Sequence, residues 1–262
     1  MKIYNPDQPL FSLHIPKTGG SSLEYVLATW FNKRKFPILR NRPKLERILS
    51  IGSLDFQIQR TLGCGFYFHY KNHRRNEVPR RVPLGKTYGF LRPTKQPECV
   101  HGHFSDYNTG ENVFDFYPEA SQFIMVLRDP LEMHISLYHY TKRMIEDNSL
   151  YWNGQKRDEF QFNSLDQWIL ERDFFLLKSL PWNLKAENFK GIIDKYFVHV
   201  CVLENFQESL NKLADKLGFE PVKIPQVNTT LRCEMSSSEA AIAFREKYSL
   251  EYAIYDYAKT LS

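Results

Sequence analysis

The stretch Leu10-Phe11-Ser12-Leu13-His14-Ile15-Pro16-Lys17-Thr18-Gly19-Gly20-Ser21-Ser22 decides how this chain folds. Leu10 to Ile15 is a short apolar run ended by Pro16, the pattern of a buried strand. Thr18 to Ser22 is a turn, after which Leu23, Val26, Leu27 and Trp30 recur at helical spacing on one face. The unit repeats further on. Gln122 to Leu127 reads as a strand, continuously apolar from Phe123 as in a strand covered on both faces, and beyond Arg128-Asp129-Pro130 a helix is expected towards residue 146. A strand is expected to lead into Cys99-Val100-His101-Gly102-His103, and another to cover 196–203. Helices are expected near 43–50, over 164–178, from Glu204 to a stop at Gly218, and from Ser237 to Ala258. Strand–turn–helix units in series predict one α/β domain spanning 1–262, with a central parallel sheet flanked by helices.

Composition sets the outer limits. A chain of 262 residues with 42% hydrophobic and 25% charged residues has the make-up of an ordinary folded domain, not of a disordered one. No apolar run reaches the length of a membrane span, and Pro6, Asp7 and Pro9 interrupt the only apolar stretch near the start. The expectation is therefore a cytoplasmic protein without an integral membrane segment, although a luminal domain lacking its targeting segment would read the same way. Cys64, Cys99, Cys201 and Cys233 form no CxxC pair, and Cys201 reads as a small core residue within an apolar run. A lone glycosylation sequon, Asn228-Thr229-Thr230, does not alter that reading. Charge is uneven: residues 33–47 hold seven basic side chains against one acid, and residues 71–95 hold eight against one. The formal net charge is only +5, so the remainder is acidic. Such a field suits an anionic partner, and a pair of solvated insertion loops would look alike. Pro79, Pro83, Pro93 and Pro97 make the second stretch irregular rather than helical.

Lys17-Thr18-Gly19-Gly20-Ser21-Ser22 joins that first strand to its helix. Glycines allow close approach of the backbone, amides at the helix start attract anions, Lys17 adds a charge, and Thr18, Ser21 and Ser22 add hydroxyls. This is the chemistry of a phosphate cradle, and equally of a plain turn with a surface lysine. It is not a Walker A loop, which places its lysine after the last glycine. Arg128 ends the second strand, with Ser136 eight residues on in the helix, and at a strand's carboxyl end the guanidinium would face the same crevice as the first loop. A local ion pair closing the helix is the alternative. His101 and His103, two apart in extended chain, would point to one side. They read as a general base and its neighbour, as two core histidines, or as half of a metal site.

These two segments resemble the sulfotransferases that use 3′-phosphoadenosine 5′-phosphosulfate (PAPS). His14 to Leu23 is similar to the family's 5′-phosphosulfate loop. Val126-Leu127-Arg128-Asp129-Pro130 with Ser136 and Tyr138 is similar to its 3′-phosphate motif, including the Arg-to-Ser spacing. The nearest branch is the carbohydrate type, above all the uronosyl 2-O-sulfotransferases and their bacterial relatives. The resemblance covers 11–31 and 99–143, more faintly 196–232, and not 33–97. It implies a P-loop-like α/β fold and metal-free, in-line transfer of a sulfuryl group from PAPS to a hydroxyl of a carbohydrate, leaving 3′-phosphoadenosine 5′-phosphate (PAP). By motif, Lys17 would offset charge on the leaving phosphate, and Thr18, Gly19, Gly20, Ser21 and Ser22 would hold the 5′-phosphate. Arg128 and Ser136 would hold the 3′-phosphate, and Asn228 and Thr230 would add a further nucleotide contact. The family's His-Gly-His implies His103 as general base with His101 orienting or replacing it, and a histidine near its ordinary pKa of ~6.5 suits that task. Two departures stand out: Ser21 replaces the usual Thr, and Met133-His134 stands where a basic residue is usual.

The expected partner is a glycan or other hydroxylated acceptor, acidic if the basic stretches line its path, and not a nucleic acid. Residues 33–97 would shape the acceptor cleft as a basic, proline-bearing insertion. The alternatives are a sulfotransferase for a small hydroxylated metabolite, a P-loop kinase lacking the Walker order, and a non-catalytic binder using its basic third alone.

Overall fold

A computed structural model describes residues 1–32, 65–69, 98–105, 110–146, 151–152, 155–156, 162, 164–224 and 236–262. Both basic stretches, the helix expected near 43–50, Cys64, Cys233, Asn228 and Thr230 lie outside the described residues.

The apolar run that opened the sequence forms strand β1 (Leu10–Leu13), followed by β2 (Phe66–His69), β3 (Cys99–Gly102), β4 (Phe123–Leu127) and β5 (Phe197–Val202). All pair in parallel, in the order β2-β3-β1-β4-β5. The helices are α1 (Gly20–Phe31), α2 (Val113–Phe116), α3 (Pro130–Glu146), α4 (Leu165–Glu171), α5 (Phe189–Tyr196), α6 (Phe206–Leu217), α7 (Ser238–Lys247) and α8 (Ser249–Leu261). A two-residue antiparallel pair, Tyr151–Trp152 with Gln155–Lys156, stands apart from the sheet. The protein is thus α/β, a parallel sheet with helices on its faces.

Strand β4 explains why a continuous apolar run was needed. Its side chains alternate between two cores: Phe123, Met125 and Leu127 join one with α3, α5 and α8, while Ile124 and Val126 join the other with α1 and α6. Every β4 residue is buried. Cys201 sits in the second core as expected.

Two helix expectations need correction. The helix expected over 164–178 stops at Glu171, where Arg172 turns extended and lays its guanidinium 4.7 Å from the centre of the Trp168 ring. The single helix expected over 237–258 is two, because Tyr248 leaves helical geometry while its hydroxyl accepts a hydrogen bond from the Phe174 amide at 3.0 Å.

The chain leaves β1 towards β2 on one side and leaves β4 towards β5 on the other. The carboxyl ends of these adjacent central strands therefore flank a topological switch point, where open α/β sheets bind ligands.

Candidate active site

Lys17 to Ser22 follow the carboxyl end of β1. Lys17 has φ 68°, the one positive φ at a non-glycine among the described residues, and Gly19 has φ 85°. A left-handed backbone costs a residue with a Cβ roughly 1–2 kcal/mol, and such strain concentrates at functional sites. Gly19 is the N-cap of α1 and places no side chain on it, and the first turn holds no acid. The amides that open α1 therefore meet the loop with no carboxylate competing for them. Gly20 is required by packing: a Cβ there would lie 1.9 Å from His14 Nε2.

The hydroxyls divide. Thr18 is buried and its Oγ1 donates to the Ile15 carbonyl at 2.8 Å. That bond closes the turn. Ser21 is exposed and Ser22 half-buried at the start of α1.

Arg128 follows β4, and its Nη1 donates to the Lys17 carbonyl at 3.3 Å, so the two expected cationic residues do meet at the switch point. Its Nη2 lies 3.4 Å from Glu132 Oε2 in the first turn of α3. The alternative reading of Arg128-Asp129 is thus also present: Asp129 Oδ1 accepts from the Glu132 amide at 3.1 Å and closes the start of α3.

Helix α3 supplies a residue that the sequence did not flag. Lys17 Nζ sits 4.1 Å from the centre of the Tyr140 ring, within cation–π range, and Arg143 Cζ lies 5.8 Å from that same ring. Glu132, Ser136, Tyr140 and Arg143 recur at helical spacing, so the face that touches Arg128 at one end and Lys17 further along also carries Ser136 between those contacts. Burial, then the nearby charges of Arg143 and Arg128, lower the Lys17 ammonium to about 8. Lys17, Arg128 and Arg143 thus gather around one carboxylate, Glu132, which leaves the cluster net positive.

The histidines lie beside this cluster on the neighbouring strand. In the parallel register Ser12 faces His101, and His101 Nδ1 hydrogen-bonds Ser12 Oγ at 2.9 Å. His101 is buried and His103 exposed. They do share a side, and His14 lies between them, its ring stacked at 4.9 Å on His101 and 4.1 Å on His103. Burial, then the neighbouring His101 and His103, hold the His14 imidazole well below its ordinary value. His14 and His103 line a very small cleft of about 20 Å³, room for about one water, with Phe104, Ser105 and Ser179. The rings stack in parallel instead of converging, and among the described residues no group of His, Cys, Asp or Glu is arranged to hold a metal ion.

No protein-family model matches this chain, and no curated protein matches it at significant similarity. Among the described residues no helix is long and apolar enough to cross a membrane.

Proposed function

We propose that this protein is a PAPS-dependent O-sulfotransferase that moves a sulfuryl group to a hydroxyl of a carbohydrate. The observation that carries this reading is the meeting of Lys17, Arg128 and the open start of α1 at the switch point, one strand away from a histidine that faces a cleft.

A nucleotide with two separate phosphate groups suits the two ends of this cluster. The Gly19–Ser21 amides, the Ser21 and Ser22 hydroxyls and Lys17 serve the 5′ end, and Arg128 with Ser136 on the facing side of α3 serves the 3′-phosphate. Arg143, a residue not anticipated from sequence, adds charge 5.8 Å from the centre of the same Tyr140 ring. His103 takes the proton of the acceptor hydroxyl as its oxygen bonds to sulfur and the sulfur–oxygen bond to the 5′-phosphate breaks. Lys17, protonated below about pH 8, offsets the charge that grows on that leaving phosphate. Buried His101, tied to Ser12, and the neutral His14 ring between the two hold His103 at the cleft as positioning residues.

The test is thermal unfolding with PAP, with ATP as the control. At about 100 times Kd, PAP adds about 2.7 kcal/mol, and at about 2–4 °C per kcal/mol Tm rises by several degrees. A rise with PAP and not with ATP supports the reading. No rise with PAP overturns it.

A further inference from the structure

The cleft at His103 does not end there. Ser105 Oγ donates to the Ser179 carbonyl at 3.0 Å, and this bond joins the segment after β3 to the turn at Leu177–Ser179. On its other side opens a larger concavity of about 350 Å³, which shares Ser105 with the cleft. Its wall includes Glu111, Asn112, Lys178, Trp182 and Asn183.

Three features of that wall define a ligand. Asn183 offers a donor and an acceptor, Asn112 its amide donors beside the oxygen that caps α2, and Ser105 an acceptor oxygen beside its bond to Ser179, a mixture that suits a surface dense in hydroxyls. The charges are balanced, with one cation and one carboxylate, and exposed Lys178 already lies 3.7 Å from Asp173. An anionic group would meet Glu111 as readily as Lys178, whereas a neutral polyol satisfies both. Lastly, Trp182 is held by edge contacts with Phe114 at 5.6 Å and Phe123 at 5.0 Å. Its half-buried indole therefore offers a rigid apolar surface at little cost in conformational entropy.

The geometry points to a subsite here for a neutral sugar unit next to the one that is sulfated, with Trp182 as its platform and Lys178 and Asn183 as its rim. This deepens, and rests on, the sulfotransferase reading. The acceptor is then an oligosaccharide or longer glycan: one unit offers its hydroxyl to His103, and its neighbour passes Ser105 into the concavity.

Binding of neutral and uronate-bearing glycans, from monosaccharides to hexasaccharides, to the PAP-saturated full chain tests this. Neutral oligosaccharides should bind about ten-fold tighter than their monosaccharides, equivalent to about 1.4 kcal/mol. The Lys178→Ala/Asn183→Ala pair, both exposed, should remove that advantage and leave the PAP-induced rise in Tm intact. Trp182→Phe, which keeps the packed ring, is the second probe and should weaken binding less. The subsite is overturned if only uronate-bearing glycans bind, if length brings no advantage, if no glycan binds, or if neither variant weakens binding. A wild-type chain whose Tm does not move with PAP strikes the underlying reading instead.

Discussion

The loops that follow β1 and β4 are neighbours built on one plan, strand then turn then helix, yet they close in opposite ways. After β4 the chain satisfies itself: Asp129 Oδ1 takes the Glu132 amide, Glu132 pairs with Arg128, and the Asp129 amide donates to Glu204 Oε1 at 2.9 Å. After β1 the backbone is held in two left-handed conformations, α1 begins without a side-chain cap or an acid, and a partly buried lysine rests on an aromatic ring. A turn that served folding alone would resemble the second loop. The first keeps a left-handed lysine and a helix start without a side-chain cap, features that suit the binding role proposed for it, while the second spends its bonds fixing one guanidinium above it. On the proposed function, the contrast separates a binding loop from a positioning loop.

The comparison breaks most visibly at Lys17. Lys17→Ala and Lys17→Gly should each slow PAP release from PAPS by roughly 10²–10³-fold, the scale for losing one preorganised contact to developing charge. Their stabilities should differ. At φ 68°, glycine carries no Cβ penalty, so Lys17→Gly should be more stable than Lys17→Ala by about 1–2 kcal/mol, read by thermal unfolding. Equal Tm values would mean that the loop is not strained.

Arg128 gives the next largest effect. Losing charge-assisted hydrogen bonds worth about 1.5–3 kcal/mol should weaken PAP binding by roughly 10–100-fold in Arg128→Ala, measured by calorimetry. Arg128→Lys should recover little, because an ammonium cannot reproduce the guanidinium fork. Full recovery by lysine would mean that the second loop supplies charge alone, with no geometry.

Much of this contrast was visible in residue order. Continuous apolarity from Phe123 to Leu127 implies a strand with a core on each face, and Gly19-Gly20 after Lys17 implies a turn that a Cβ would obstruct. What stayed hidden depends on side chains brought together from distant positions. His14 reads as the tail of a strand, and only the pairing of Ser12 with His101 shows that it stacks between two other histidines. Tyr140 is one aromatic among many in a helix until Lys17 settles on its ring. The bond from the Thr18 hydroxyl to the Ile15 carbonyl is likewise invisible in residue order. The break at Tyr248 escapes a periodicity reading, because apolar spacing continues across it while the deciding bond comes from Phe174.

The two loops should also differ in their response to pH. In the free protein the Lys17 ammonium titrates near 8 instead of near 10.5, so the folded state holds this proton less tightly than the unfolded chain does. Stability of the free protein should therefore rise between pH 8 and 10.5, with the gain lost as pH falls back through 8. PAP binding should move the other way. Its phosphates are fully ionised above neutrality, so affinity should fall as the ammonium is lost, by about ten-fold per pH unit at the limit. Lys17→Arg, always charged, should bind PAP with a flat profile to pH 9. A wild-type profile equally flat would place the binding charge on Arg128 and leave the first loop without its assigned part.

The smallest effect belongs to the self-satisfied loop and isolates its role. Asp129 reaches the start of α3 through an acceptor oxygen, which asparagine also has. Asp129→Asn should therefore keep its stability, while Asp129→Ala should lose about 1 kcal/mol, the usual loss for a helix cap. For a chain of this size that is about 2–4 °C in Tm, readily resolved by calorimetry. PAP affinity should change little in either, because Arg128 retains both Glu132 and the Lys17 carbonyl. If Asp129→Ala instead weakened PAP binding as much as Arg128→Ala does, the cap would be what aims the guanidinium, and the division between a binding loop and a positioning loop would have to be redrawn around α3 itself.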